Sequence, residues 1–159
     1  MKYHRLNADE LAVLEPEFIK FLIVNGIDGA DWTRIKTNDA AHADEMLDVF
    51  SDMILEGTLK NISFLDVVLD KVIYAFQCDQ ENITLNALEL VGDGDFTFRN
   101  NFSATTLSEL LDAQLIEVKA FTQQKSYQPD RNTELYKMIQ NGMSISNGEW
   151  FMAIEKILK

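Results

Sequence analysis

The chain has 159 residues, of which 47% are hydrophobic, and its 26 acidic against 14 basic side chains give a formal net charge of −12. That length suits one globular domain, and the apolar share suffices for a packed core. Residues 1–60 hold twelve acids against six bases and residues 61–125 hold ten against four, so no Lys/Arg stripe faces a phosphate backbone, and neither nucleic acid nor an anionic membrane is an expected partner.

The densest apolar patch, Phe18–Val24, is interrupted by Lys20 and is far short of the ~20 residues of a membrane span. The N-terminus has basic residues without an apolar stretch behind them, and Cys78 is the only cysteine. These features point to the cytoplasm.

In chain order, Asn7 caps a first helix from Ala8, with Asp9 and Glu10 suited to its positive end. Leu11, Leu14, Phe18 and Leu22 recur at helical spacing, and Gly26 ends the run after Asn25. Pro16 predicts a kink or break. From Phe18 to Val24 the helix is apolar nearly all round, which predicts burial on more than one side, centrally or at a subunit contact. A helical turn carries Trp32 and Ile35. A longer helix runs from Asn38 or Asp39 to Leu59, with Met46, Leu47, Phe50, Met53 and Ile54 inside and Asp44, Glu45, Asp48, Asp52 and Glu56 facing water.

The period then changes. β-branched and aromatic runs predict strands near 62–68, 72–78 and 82–91, the last with a further partner at 95–99, joined by short connections as an antiparallel meander. Thr106 and Glu109 match a capping box for a helix carrying Leu107, Leu110, Leu111, Leu115 and Val118, while 115–121 alternates enough to be a strand instead. A loop surrounds Pro129, and two helices follow, at about 132–141 and 147–158. The class is α+β: N-terminal helices, a central antiparallel meander of three to four strands, and C-terminal helices packing on the sheet, as a single domain over 1–159.

The stretch "VGDGDFTF", Val91–Phe98, raises the question of a cation loop. A calcium loop started at Asp93 would place Phe98 where glycine is required and Ala104 where glutamate is required, so Asp93-Gly94 reads as a hairpin turn. His42, Glu45 and Asp48 share a helix side at metal-compatible spacing, but they avoid the apolar stripe and read as a solvated face. "GMSIS", Gly142–Ser146, misses the nucleophile elbow by its second glycine, and no histidine follows it. It reads as a helix-ending turn in which Ser146 or Asn147 caps the next helix. Cys78 reads as a buried strand residue. The closing helix pair is too apolar for a DNA groove reader. No catalytic, cofactor or metal residue is assigned.

The opening "MKYHRLNADELAVLEPEFIKFLIVNGIDGADWTRIK" and the closing "ELYKMIQNGMSISNGEWFMAIEKILK" resemble an uncharacterised family of small acidic bacterial cytoplasmic proteins, over nearly the whole chain. The resemblance implies a bacterial cytoplasmic protein and carries no activity and no functional residue.

In "WFMAIEKIL", Phe151, Ile154 and Leu158 make the stripe that covers a sheet, which leaves Trp150, Met152, Ala153 and Ile157 either for a homodimer or partner surface, led by Trp150 and Met152, or for a helix wedged into the monomer core on two sides. The functional expectation is therefore a non-enzymatic, self-associating protein-interaction domain. The alternative is a small-molecule-binding domain or enzyme with a dispersed site. An exposed apolar patch would mark the first, and a pocket with convergent polar groups the second.

Overall fold

The computed structural model describes all residues except 93, 101 and 102. The chain divides into two compact units, Met1–Lys60 and Asn61–Lys159.

The first unit is helical. Asn7 accepts from the Glu10 amide while the Glu10 side chain returns to the Asn7 amide, and this capping box opens α1, Ala8–Val13. The predicted break falls at Leu14, where Pro16 enters the first turn of α2, Glu15–Val24, and its missing N–H costs nothing there. Asn25 closes α2, and Gly26 leaves it at φ +74°. Asp28 and Asp31 form a second capping box on α3, Gly29–Asn38, and α4 runs from Ala40 to Lys60. The core of the unit is aromatic: the Phe18 ring lies 5.0 Å from Phe50, edge-on, and 5.2 Å from Trp32, with Leu6, Phe21 and Leu22 buried around them.

Two expectations for this unit change. α2 is buried along one side only, through Phe21 and Leu22, because the aromatic cluster meets one face; Ile19, Ile23 and Val24 remain exposed. On α4 the inward positions include Ala43, Phe50 and Ser51, while Met53 is exposed. Ser51 tolerates burial because its hydroxyl donates to the Leu47 carbonyl and accepts from the Leu6 amide.

The second unit is built on a five-stranded antiparallel sheet in the order β4-β3-β2-β1-β5. The meander strands are β1 Phe64–Val68, β2 Val72–Cys78 and β3 Asn82–Leu90, close to the predicted spans. The predicted strand at 95–99 does not form. The edge of β3 is taken instead by β4, Val118–Ser126, which resolves the helix-or-strand question for that region. β4 pairs over nine residues where 95–99 offers five, and Phe98 is withdrawn into the core with its amide on the Asp70 carbonyl. Gly92 has φ +94°; the Asp93-Gly94 turn falls partly on residue 93, outside the described residues.

α5 spans Ala104–Asp112 and is capped by Ser103, three residues ahead of the predicted Thr106, which supplies the amide that Ser103 accepts. It ends at Asp112, so Val118 belongs to β4 and Leu115 is exposed. α6 spans Arg131–Gln140, followed by Gly142 at φ +105°. Ser144–Ser146 forms the short edge strand β5 on β1, where a helix-ending turn was expected. α7, Glu149–Leu158, packs across β1 to β4 with Phe151 and Ile154 against Ile73, Ala75 and Leu88. Asn86, on the same sheet face, donates its amide to the Phe151 carbonyl at 3.2 Å and so ties α7 to β3. The architecture is α+β, with helices N-terminal, an antiparallel sheet in the middle and C-terminal helices on it.

Candidate functional site

The start of α7 is tightly determined. Gly148 is its N-cap at φ +85°, and a Cβ there would stand 2.7 Å from the Phe64 ring. The neighbouring side chains complete the cap: Ser146 accepts from the Gly148 amide and Asn147 from the Glu149 amide. From this entry, Phe151 and Ile154 point to the sheet as expected, whereas Leu158 lies outside.

The four residues set aside for a partner separate into different environments. Met152 is 47% exposed. Trp150 and Ile157 are half-buried along the margin of the sheet core. Ala153 and Ile157 face α5, where they line a groove of about 520 Å³. Leu107 and Leu111 supply the α5 side of its apolar floor; Thr105, Ser108 and Asp112 on α5 and Glu149 and Lys156 on α7 supply polar groups around it. From the sequence, Ala153 and Ile157 belong to a partner surface and no groove is foreseen, because nothing in local spacing pairs two helices about 40 residues apart.

A second apolar surface lies on the helical unit. On α2, Ile19 is 48% exposed, Ile23 64% and Val24 86%, and Val13 at the end of α1 is 80% exposed. Ile19 and Ile23 are one helical turn apart and so share a side. The run 18–24 had announced this surface; that only one side would be covered within the chain was not readable from it.

The other candidates resolve into structural roles. Lys71 donates to the carbonyls of Gly94 and Phe96, both at 2.6 Å, so the glycine-rich loop does hold a cation: the ammonium of the chain's own lysine. His42 Nδ1 lies 3.9 Å from Glu45, but Asp48 is engaged by Arg5 at 2.6 Å. Among the described residues no group of three or more His, Cys, Asp or Glu side chains is arranged to hold a metal. Ser144 and Ser146 are edge-strand residues paired with Asp66 and Phe64, and β5 separates α6 from α7, so the pair is not a helix-turn-helix. Cys78 is buried, and burial pushes its thiol up to about 11 against the opposing pull of Arg131. No helix among the described residues is long and apolar enough to cross a membrane.

Sequence reasoning missed one constellation altogether. Asp44, Asp48, Asp52 and Glu56 recur every four residues along α4, and the N-terminal segment lies on them. Arg5 bonds Asp48 and reaches Asp44 at 3.3 Å, the Lys2 and Tyr3 amides donate to Asp52 at 2.7 and 2.9 Å, and Lys2 and the Tyr3 hydroxyl meet Glu56. The Arg5 hydrogen bond holds the Asp48 carboxyl below its ordinary range. The available signal was the i, i+4 acid row itself, which is self-repelling unless something cationic covers it.

A model for a family of unknown function (DUF6495) matches residues 1–159. The chain belongs to DUF6495. No curated protein and no solved structure matches it. Membership in DUF6495 accords with the resemblance to an uncharacterised family and transfers no activity.

Proposed function

We propose that this DUF6495 chain works through protein–protein contact, beginning with a second copy of itself, and that its role is not catalytic. The observation that carries this reading is the uncovered apolar side of α2 formed by Ile19 and Ile23, with Val24 exposed beside it at the helix end. Side chains of this kind grouped on one helix side mark interaction surfaces more often than isolated exposed ones do. Between Pro16 and Asn25 the only charges are Glu17 and Lys20, so the segment is locally neutral within a chain of net charge −12. Two copies can therefore meet here without the repulsion expected elsewhere on the surface. Within the other unit, Met152 is the most exposed of the four α7 residues set aside for a partner; Trp150, Ala153 and Ile157 are already partly engaged within that unit. The test is light scattering coupled to size exclusion at rising concentration. Wild type should reach the mass of a dimer, and Ile23→Glu should remain a monomer with an unchanged circular-dichroism spectrum. A wild type that stays monomeric throughout removes self-association.

A second reading has its own support. The groove between α5 and α7 has the volume of a small-ligand site, an apolar floor and polar groups of both signs. It suits a small amphipathic molecule. Ala153→Trp would fill it, and should abolish binding of an apolar fluorescent probe there while leaving the oligomeric state unchanged.

A further inference from the structure

We propose that the outer edge of β4 receives an extended acidic segment of a partner protein, which joins the sheet as a further strand. The two edges of the sheet are unequal. β5 closes one with three residues, whereas β4 leaves nine, Val118–Ser126, along the other. The Val91 amide donates to the Glu117 carbonyl at 2.9 Å, one step beyond the last β3–β4 pair and in the same register. Hydrogen-bonded pairs of an antiparallel ladder recur at every second residue, so Lys119, Phe121, Gln123 and Lys125 turn their backbone groups to β3. Val118, Ala120, Thr122, Gln124 and Ser126 therefore turn theirs outward, and among the described residues no other protein group bonds them. Such a row of outward donors and acceptors matches an extended chain rather than a compact ligand.

The side chains decide which extended chain fits. Val118 and Ala120 pack against the core between the sheet and α7, so by strand alternation Lys119, Phe121, Gln123 and Lys125 stand on the opposite face. Phe121 is 44% exposed in the middle of that row. Lys125 meets Glu134, whereas Lys119 has no ion pair among the described residues. Val118–Ser126 holds two lysines and no acid, within a chain of net charge −12. A second copy of β4, paired antiparallel over all nine residues, would set Lys119 against Lys125 twice, and like charges directly opposite are destabilising. Lysines on an edge strand guard against such pairing with another copy. They favour instead a strand with a carboxylate opposite Lys119 and, two positions along, an apolar side chain opposite Phe121. The first supplies a cross-strand ion pair, and the second covers exposed ring surface. Main-chain bonds then provide the affinity, and Lys119 and Phe121 provide the choice of partner.

The probe is a fluorescein-labelled peptide, TETTTITET, which in antiparallel register places glutamates opposite Lys119 and Lys125 and isoleucine opposite Phe121. Its anisotropy should rise saturably with the full-length chain, with affinity falling as salt rises. TKTTTITKT should not bind. Lys119→Glu should weaken the acidic peptide about ten-fold. Thr122→Pro should abolish binding while the protein still melts cooperatively, because the Thr122 amide faces outward and proline there removes no bond to β3. In amide exchange the peptide should slow Ala120, Thr122 and Gln124 and leave Phe121, already bonded to β3, unchanged. No binding of the acidic peptide, equal binding of both peptides, or unchanged exchange at Ala120, Thr122 and Gln124 overturns the proposal. If Thr122→Pro fails to fold, Lys119→Glu and the alternation in exchange decide. The inference goes beyond self-association through α2, so Ile23→Glu should bind the peptide as wild type does. A dimer of Ile23→Glu that the peptide dissolves would put a second copy on this edge and overturn the acidic partner.

Discussion

The two units carry the same net charge but differ in what their cations answer. Residues 1–60 hold 12 acids and 6 bases and residues 61–159 hold 14 acids and 8 bases, a balance of −6 in each. In the helical unit the cations Lys2 and Arg5 answer carboxylates at the surface. In the sheet unit Lys125 and Arg99 also meet carboxylates, those of Glu134 and Asp70, but two further cations answer backbone carbonyls: Lys71 those of Gly94 and Phe96, and Arg131 those of Ile62, Cys78 and Asp79. A carboxylate loses its partner when it is protonated or screened, whereas a carbonyl does not titrate and a partly buried bond is little screened. The lesson is that equal charge predicts neither salt sensitivity nor acid sensitivity; the identity of the acceptor does.

The largest expected effect tests the sheet unit through packing rather than charge. Gly148→Ala combines a left-handed backbone position with a Cβ 2.7 Å from the Phe64 ring, and should destabilise that unit by about 2–4 kcal/mol in denaturant unfolding. The ring would have to leave Phe151, whose centroid is 5.8 Å away. Wild-type stability in Gly148→Ala would mean that the entry to α7 is more plastic than its geometry implies.

Next comes Arg131→Ala, which removes a charged donor from three carbonyls at the junction of β1, the β2–β3 turn and α6, of which that of Asp79 keeps the Tyr127 hydroxyl. Hydrogen bonds from charged donors support a loss of about 2–3 kcal/mol. The sharpening measurement is to repeat it in ~0.05 and ~0.5 M salt, where screening differs several-fold. The loss should be nearly equal at both, and a loss that vanishes in high salt would break the contrast between the units.

Alkaline and acid titrations should then divide the units. Burial raises the Cys78 thiol to about 11 and the Tyr127 phenol to about 12. Both are held neutral in the fold, so their contribution is complete below the ordinary values of 9.0 and 10.0 and is lost as pH rises through them toward the raised ones. The melting temperature of the sheet unit should therefore fall above about pH 9, and a thiol reagent at pH 8 should leave Cys78 unmodified until the chain unfolds. Rapid modification of the native chain would contradict the burial.

The smallest effect belongs to the N-terminal segment. Asp48 is depressed by Arg5, so its contribution is present above the ordinary carboxyl value of 3.8 and is lost as pH falls through the lower folded one. The neighbouring groups are Lys2, Tyr3 and Arg5 on the segment and Asp44, Asp52 and Glu56 on α4. Exchange at the Leu6 amide should accelerate below about pH 4 and in high salt, with the aromatic core still protected. Arg5→Ala should produce the same acceleration at neutral pH.

Much of the architecture was written locally. The capping boxes at Asn7–Glu10 and Asp28–Asp31, the break before Pro16 and the strands β1 to β3 follow from hydrogen bonds and side-chain periods within a few residues, so the sequence alone determines them. What only the tertiary structure decided involves partners distant along the chain. Residues 118–126 and not 95–99 pair with β3, and "SIS" becomes an edge strand because β1 offers it a free edge. Ala153 and Ile157 come to line a groove only when α5 comes alongside, and Asp44 to Glu56 cease to be a merely solvated face only when residues 2–6 fold back onto them. Periodicity reports which side of an element is apolar. It carries no information about which of several compatible surfaces will cover that side, because that choice depends on chain closure and on competition among contacts 40 or more residues apart.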